Sequence, residues 1–428
     1  MKKKLIFLEL NELNFDLIKK YIDIGELPNF KNIFERYKYS RTTSESKYEN
    51  IEPWIQWVTA HTGKDFNQHN IFHLNESNKL KFPQIWEELE NKNLSVSALF
   101  PMNGKNNLKK SNNIFIPDPW SDEKINGGLN LQKIHFILSF FLNNNFSKRI
   151  NIKNFINLFF VFLTNFKFKN IFFYMKYFFL SFKKKWFRVL FLELFIFDIF
   201  LKINNKNFNF ISIFFNGSAH IQHHYLNNSK VLNDAKKNPN WYLKKENDPI
   251  LDIYKMYDKI IIKKLLNYLN SDKDLRVMML TGLTQDPVTN PVFYYRLSDP
   301  KNFISLFKIN NFKIASLMSR DFSINFEDEI NKNKFIEIFK KLNIKGLNLF
   351  ELKIYGNEIF VTLSYDIEIK KHDEFIIDDI NYKYIDYFNF VAIKNGKHNG
   401  NGFLLDSKKI HFNQPLSEVK SHVLDYFK

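Results

Sequence analysis

Two histidine clusters are the residues of this chain with the clearest capacity for chemistry. His220, His223 and His224 fall within five residues. His398 lies much later, in a predicted glycine-rich loop at residues 396–402, whose backbone would permit close approach to a metal or phosphate. Imidazole is the commonest ligand for divalent metals. Each cluster follows an apolar run typical of a buried strand, and an open α/β sheet binds ligands at the carboxyl ends of its strands. The sequence therefore predicts one composite metal site. A polar surface turn is the alternative for the first cluster.

Two acidic residues are candidates for the same site. Glu9 ends the first apolar run, where a carboxylate could bind a divalent cation or simply cap a helix. Glu52 precedes Pro53 and should lie at a helix N-terminus, which attracts anions. Glu52 could be a cap, a metal ligand or a base. The candidate catalytic residues are Glu52, Thr59 and His61.

Polar side chains near these positions could hold a substrate. Residues 281–287 (TGLTQDP) follow a run that should be a central strand, and their hydroxyl and amide groups suit a sugar or a phosphate. Guanidinium groups match phosphate bidentately, although Arg296 and Arg320 could equally form surface ion pairs. The candidate substrate-binding residues are Asn11, His69, Thr281, Gln285, Arg296 and Arg320.

Strands and helices alternate through most of the chain, which predicts an α/β fold: a three-layer α/β/α sandwich with a mostly parallel central sheet. The expected core strands and helices come from apolar runs and helical spacing. The strands are expected at 4–10, 94–100, 113–116, 208–215 and 276–280, and the helices at 14–24 and 53–62.

Two segments interrupt this alternation. Residues 131–205 mix Phe, Leu and Ile with Lys and Arg, and no apolar run reaches the ~18–20 residues that span a bilayer. They form either amphipathic helices on an anionic membrane surface or a helical cap packed on the core. Residues 308–385 read as a small α+β insertion, and 389–393 should rejoin the main sheet. The predicted division is 1–130, 131–205, 206–307, 308–385 and 386–428.

Composition excludes some classes of function. The 428 residues contain no cysteine, so disulfides, thiolate metal sites and cysteine nucleophiles are excluded. The net charge of +17 suits an anionic membrane or substrate, although an AT-rich genome would also enrich lysine. No nucleic-acid-binding motif is present, so we expect no nucleic-acid partner. Glu9 and Glu12 interrupt the first apolar run, so it does not read as a signal peptide, and we expect a cytoplasmic protein.

With these residues in hand, the chain resembles the alkaline phosphatase superfamily, in its type I phosphodiesterase/nucleotide pyrophosphatase and sulfatase-like branch. The order is similar: Glu9 after the first strand, then LPNF at 27–30, then Trp57, Thr62–Gly63 and a His-x-Ile-Phe run at 69–72. The family's Asp-x-x-x-His motif looks like residues 219–223 or 216–220, and its late Gly-x-His motif looks like residues 396–402. The EPWIQW run resembles a subgroup from bacterial surface-polysaccharide clusters.

The sequence also departs from that family. Glu9 stands where the family has Asp, the usual Thr or Ser nucleophile falls near Glu52, and the Ser-Asp-His-Gly motif becomes residues 281–284 without its acid and histidine. The resemblance implies one zinc or manganese ion. Its candidate ligands are Glu9, His220 or His223, His224 and His398.

The implied activity is metal-assisted hydrolysis or transfer of a phosphate or sulfate ester. The substrate would be a phosphorylated or sulfated small molecule or a glycolipid, at the inner face of the membrane. A binding or scaffold protein in polysaccharide biosynthesis, or a membrane-surface assembly factor, is the alternative.

Overall fold

The structure is a computed structural model that describes residues 3–143, 152–316, 320–377 and 380–428. The strands are β1 (Lys4–Leu10), β2 (Tyr39–Thr43), β3 (Val96–Leu99), β4 (Ile114–Ile116), β5 (Phe210–Phe215), β6 (Leu275–Leu280), β7 (Thr284–Leu297), β8 (Phe312–Ser316), β9 (Asp321–Phe326), β10 (Asn343–Ile344), β11 (Leu347–Asn348), β12 (Phe350–Tyr355), β13 (Glu358–Leu363), β14 (Glu374–Ile377), β15 (Ile380–Lys383), β16 (Phe388–Asn399), β17 (Asn401–Asp406) and β18 (Gln414–Pro415).

The helices connect these strands. They are α1 (Phe15–Asp23), α2 (Pro28–Arg36), α3 (Pro53–Thr62), α4 (Phe66–His69), α5 (Ile85–Asn91), α6 (Leu129–Asn143), α7 (Ile152–Asn165), α8 (Ile171–Ser181), α9 (Phe187–Asn204), α10 (Gly217–Tyr225), α11 (Pro249–Met256), α12 (Lys263–Ser271), α13 (Pro300–Ser305), α14 (Glu329–Lys341) and α15 (Val419–Tyr426).

An eight-stranded sheet forms the centre of the molecule, in the order β18-β2-β17-β6-β1-β5-β3-β4. Strand β1 lies between β6 and β5 and runs parallel to both, and β3 continues the parallel pairing to β4. Strand β17, in contrast, runs antiparallel to its neighbours, β6 and β2. The predicted mostly parallel α/β fold is therefore confirmed.

Helices cover both faces of this sheet, as neighbouring residues of β5 demonstrate. Phe214 packs edge-on against Trp57 of α3. Phe215 points the other way, toward Phe197 of α9 and Tyr257. All six residues of β5 are buried, as expected for a parallel strand with a helical layer on each side.

Helix α3 carries the start and stop signals from which it was predicted. Pro53 occupies its first turn, where a missing amide proton costs nothing. Gly63 follows its last residue with φ 67°, the left-handed conformation that glycine adopts most easily at a helix C-terminus. The helix spans Pro53–Thr62, as predicted, and this fixes Glu52 at its N-terminal end.

A second hydrophobic cluster lies between residues 293 and 393, apart from the main core. It includes Phe303, Phe335 and Phe350, and strands β8, β9, β12 and β13 form its four-stranded antiparallel sheet. The prediction that 389–393 rejoin the main sheet was wrong. Those residues belong to β16, which pairs with β7 in a separate two-stranded sheet, and β17 enters the central sheet instead. The five-part division of the chain stays a prediction.

The helices of the 131–205 segment are anchored by one buried carboxylate. Asp198 of α9 accepts hydrogen bonds from the Lys167 amide at 2.7 Å, Asn170 at 2.6 Å and the Tyr174 hydroxyl at 2.9 Å. These three donors lie in and just before α8, so Asp198 holds the connection between α7 and α8 against α9. No helix in the described part of the chain has the length and apolarity needed to cross a bilayer.

We expect Asp198→Ala to lower the free energy of unfolding by about 3 kcal/mol, because buried donors would lose their acceptor. Urea unfolding followed by circular dichroism measures the change. The control is Asp425→Ala, which removes only an exposed pair with Lys428 and should cost less than about 0.5 kcal/mol. Equal stability of the two variants would contradict the anchoring role.

Candidate functional site

The site is built around Glu12, two residues beyond the end of β1. Its φ of 58° turns the chain sharply, and its carboxylate is fully buried. The Glu12 carbonyl accepts from Gln222 of α10 at 2.7 Å. The carboxylate accepts from Asn11 at 3.3 Å and from the Gln285 side chain. These bonds fix the acid at the carboxyl edge of the central sheet.

Two histidines from distant segments face this carboxylate. His223 Nε2 of α10 lies 3.7 Å from Glu12 Oε2, and His398 Nε2 of β16 lies 3.6 Å from Glu12 Oε1. The two imidazole rings are 5.1 Å apart. One ligand atom from each of the three residues lies within 4.8 Å of the others. We name Glu12, His223 and His398 the Glu–His–His group.

His398 reaches the group from a strand. Residues 396–402 were predicted to form a glycine-rich loop, but Phe388–Asn399 forms β16, in which His398 pairs with Gln285 of β7. Gly396 makes room for the Gln285 side chain, since a Cβ at 396 would lie 1.8 Å from Gln285 Oε1. The glycine thus allows Gln285 to extend toward Glu12.

Glu52 contacts the outer nitrogen of His398. Its Oε2 lies 3.3 Å from His398 Nδ1, and its side chain is 32% exposed. A carboxylate on the distal ring nitrogen sets the tautomer and orientation of a ligating histidine. Fewer amides than expected are free at this helix end, because Pro53 has none and those of Ile55 and Gln56 donate to the Glu52 carbonyl. The carboxylate is therefore the main contribution of this helix end.

Burial and mutual charge set the protonation of the group. Burial raises the pKa of Glu12, against the opposing charge of His398 and the Gln285 hydrogen bond. Burial, with the charge of His398, lowers the pKa of His223 well below its usual value. Burial also acts to lower the pKa of His398, but Glu52 and Glu12 outweigh it, so that pKa is raised. A bound cation would compete with protons for the Glu12 carboxylate and the imidazoles, so metal binding would release protons.

The group fits a divalent metal. Zinc binds nitrogen at about 2.0–2.1 Å, so tetrahedral ligand atoms lie about 3.3 Å apart. The two separations between Glu12 and the imidazoles are 3.7 and 3.6 Å. His398 Nε2 is buried and hydrogen-bonds to nothing in the described part of the chain. Two imidazoles and one carboxylate suit zinc or another first-row ion. The three residues therefore offer a set of ligand atoms that lie within 4.8 Å of one another.

Glu9 was predicted as a ligand, and the structure places it elsewhere. Its Oε2 lies 3.0 Å from His61 Nε2, and both side chains are buried. The His61 ring also packs on Trp57 and Trp86. Glu9 is still within β1, so its side chain points to the face that packs on α3. Glu12, beyond the strand end, is the acid of the group. The candidate catalytic residue His61 is likewise held in the Glu9 pair.

Only one histidine of α10 joins the group. His223 and His224 are consecutive, so on a helix they point about 100° apart, from 3.6 residues per turn. The His224 ring nitrogen Nδ1 lies 3.3 Å from the Ile393 carbonyl. His220 stacks edge-on with His224 at 5.0 Å and lines a neighbouring cavity. The structure thus places His220 and His224 beside the group rather than in it.

Other predicted residues serve the local structure. Thr59 bonds His69 at 3.2 Å within the layer of α3, and Thr281 accepts the Phe403 amide at 2.8 Å. Arg296 is exposed on β7, and Arg320 lies 4.5 Å over the Tyr294 ring. In the part of the chain that the structure describes, none of these predicted residues bonds to the Glu–His–His group.

Two predicted substrate-binding residues, in contrast, hold the group together. Gln285 contacts Glu12 directly. Asn11 donates to Glu12 and also to Asn216 at 2.8 Å, and it accepts from Trp57 at 2.8 Å. Glu12 and Asn216 were missed as site residues. Glu12 could have been found from its position, because an acid two residues past a predicted central strand lies at the ligand-binding edge.

No family model matches the sequence, and no curated protein matches it. Among solved structures, phosphonoacetate hydrolase from Sinorhizobium meliloti 1021 with phosphonoformate is similar, with 11% identity, TM-score 0.46, and 100% of this chain and 96% of that chain covered. Murine ectonucleotide pyrophosphatase/phosphodiesterase 5 has 9% identity, TM-score 0.44, and 99% and 94% coverage. A TAB5 alkaline phosphatase mutant with Mg bound has 10% identity, TM-score 0.43, and 100% and 99% coverage.

These proteins belong to the superfamily that the sequence resembles. At identities of 9–11% and these TM-scores, we assign no residue role from them. The fold class rests on the strand order of the central sheet and the helical layers on its two faces. The subgroup with surface-polysaccharide clusters stays a prediction.

We expect purified protein to bind one zinc or manganese ion, and His398→Ala and Glu12→Gln to weaken binding at least about 100-fold, since even loss of an outer partner costs 10–100-fold. Isothermal titration and elemental analysis after dialysis measure this. His220→Ala, three residues before His223 on the same helix, is the matched control and should bind normally. Metal loss in the control with retention in Glu12→Gln would reverse the ligand assignment.

Proposed function

We propose that this chain is a metal-assisted hydrolase or transferase acting on a phosphate or sulfate ester. The observation that supports it is the Glu–His–His group: a buried acid and two imidazoles from three distant segments, in which His398 Nε2 makes no hydrogen bond to any residue that the structure describes. A bound zinc or manganese ion would supply Lewis-acid polarisation of the ester oxygens. The chain's own residues then have separable roles.

Glu12, His223 and His398 would hold the ion, and Glu52 fixes the His398 ring through its Nδ1. Asn11 and Gln285 keep the Glu12 carboxylate in place. Glu52 is also partly exposed next to the group, so it is the residue placed to take a proton from an attacking water or substrate hydroxyl. Thr59 is a poor nucleophile candidate, because its hydroxyl is buried and lies within hydrogen-bond distance of His69 and the Ile55 carbonyl.

We expect metal-loaded protein to cleave at least one of p-nitrophenyl phosphate, bis-p-nitrophenyl phosphate and p-nitrophenyl sulfate. Glu52→Gln should lower kcat by about 100-fold or more when enough metal is added to keep the site loaded, as expected for a lost base. Absorbance of released p-nitrophenol measures the rates, and elemental analysis checks the metal.

Thr59→Val is the control for this experiment, and it should retain the wild-type rate. Strong loss in Thr59→Val with a normal Glu52→Gln would contradict the role of Glu52. Bound metal without turnover of any of the three esters would favour the alternative function, a binding or scaffold protein.

A specific surface favours a membrane-bound setting for this activity. Helices α7 and α8 each present apolar side chains to solvent at intervals of three and four residues, which places them on one helix face. Phe168 and Phe172 are 79% and 80% exposed. We name these residues the aromatic face: Ile156, Phe159, Phe160, Leu163, Phe168, Phe172, Met175, Phe179 and Phe182.

The opposite sides of the same helices pack inward. Val161 of α7 and Tyr174 and Tyr177 of α8 are buried in the main core. The exposed apolar residues therefore lie outside the packed core. Exposed apolar patches of this kind mark interaction sites. Lysines 167, 169, 176 and 183–185 flank the face. An anionic phospholipid surface matches both features, and it would bring a lipid-linked substrate such as a glycolipid to the site. Attachment to the inner face of the membrane stays part of this proposal.

We expect the protein to float with vesicles that mix zwitterionic and anionic phospholipid, and to float less at high salt. Phe172→Glu should reduce vesicle binding more than tenfold, because a buried phenylalanine contributes about 1.5–3 kcal/mol. Phe412→Glu is the matched control, since Phe412 is 89% exposed but lies far along the chain in a different segment. Equal loss in both variants would contradict docking through the aromatic face.

A further inference from the structure

A cavity of about 310 Å³ lies between α6, α9 and the carboxyl end of β5. Most of its lining is apolar, and α9 supplies much of it through Val189, Leu192 and Ile196. The other apolar lining residues are Phe100, Pro119, Trp120, Leu138, Leu142 and Phe214. A volume of this size is at the small end of ligand sites, which suits one narrow chain better than a bulky sugar.

The two ends of the cavity differ in chemistry. Lys185 and Arg188 line it and are exposed, so they mark its mouth. Gly217 and Glu193 line it and are buried, so they mark its floor. The Glu193 carboxylate accepts from the Asn216 and Gly217 amides and from the Tyr257 hydroxyl. Because these donors already satisfy the Glu193 carboxylate, it does not need a bound cation as a partner.

One side chain connects this floor to the Glu–His–His group. Asn216 lines the cavity, and its Oδ1 accepts from Asn11 Nδ2 at 2.8 Å. Asn11 Nδ2 also lies 3.3 Å from Glu12 Oε1. His220, which lines the cavity, is one helical turn before His223. The cavity therefore ends within two hydrogen bonds of the Glu12 carboxylate.

We propose that this cavity binds the apolar chain of a lipid phosphate, with the phosphate ester at the Glu–His–His group. This inference rests on the proposed function, since that function identifies the phosphate end. It adds the substrate class: an ester whose alcohol or second ester group carries an alkyl or prenyl chain. Three features support this occupant, namely the apolar wall, the polar end beside Glu12, and the cationic mouth.

The mouth is also close in the sequence to the aromatic face. Phe182 is the last residue of that face, and Lys185 of the mouth follows three residues later. A chain drawn from a lipid surface at α8 would thus meet the cations of the mouth and then the apolar wall. A free phosphate or a soluble nucleotide has no apolar chain that could pack against that wall.

The test uses a series of straight-chain alkyl phosphates of increasing length, kept below their micelle-forming concentrations, with inorganic phosphate as the chain-free probe. Isothermal titration with the 428-residue protein measures the affinity for each alkyl phosphate. We expect about a fourfold gain per added methylene, the ratio expected for burying one CH₂, until the cavity is full and the gain stops. An affinity independent of chain length would overturn the proposal.

Variants that fill the cavity with a larger side chain test whether the alkyl chain binds there. Leu192→Trp should remove most of the gain with length, and Val189→Trp provides a second filled cavity if the first variant does not fold by circular dichroism. Leu347→Trp is the matched control, because Leu347 is an exposed leucine outside both the cavity and the aromatic face. If affinity rose equally with alkyl length in the filled variants and in the control, the alkyl chain would bind outside this cavity, and the proposal would be overturned.

A repeat with metal-free protein and with His398→Ala separates this inference from the proposed function. A gain with chain length that persists without any metal binding by the wild type supports the cavity and contradicts the metal-assisted activity. Metal binding together with turnover that does not depend on alkyl chain length supports the activity and overturns the cavity assignment. Tighter binding of neutral alkyl alcohols than of alkyl phosphates would overturn the assignment of a phosphate end.

Discussion

The arrangement of the site depends on burying the Glu12 carboxylate at the end of a central strand. An isolated ionised carboxylate inside a protein is costly, and it is stable only when donors or cations surround it. Here the donors come from Asn11 and Gln285, and the charged partner is His398. Strand β1, the β7–β16 pair and helix α10 must therefore all be in place before the site exists.

Much of the fold could be predicted because its signals are local. Parallel strands buried on both faces appear as continuous apolar runs, as in FISIFF at 210–215, and α3 has a proline at its start and a glycine after its end. The second half of strand β16 was missed for the opposite reason. This half, KNGKHN, is polar and contains glycine, and its strand conformation depends on pairing with β7, more than a hundred residues earlier. The local strand propensity of a segment does not reveal such a distant pairing partner.

The candidate site was predicted in part, and the errors have a common origin. Glu9 and Glu12 are both acids near the end of β1, and only the turn after Leu10, with Glu12 at φ 58°, decides which carboxylate reaches the sheet edge. Likewise, three histidines of α10 have the right chemistry, but the rotation of the helix against β16 directs only His223 at the group. Sequence identified the types of ligand, and tertiary geometry selected among them.

The distribution of charge connects the site to the aromatic face. Residues 124–192 contain twelve Lys and Arg and no Asp or Glu. At the chain's average of 45 acids in 428 residues, a segment of this length would contain about seven. Genomic bias toward lysine raises the number of cations, but it does not remove the acids, so an interaction with anions accounts for this segment better. The same segment supplies the aromatic face and six of the fifteen residues that line the cavity, so the proposed membrane surface and the proposed lipid site share one stretch of the chain.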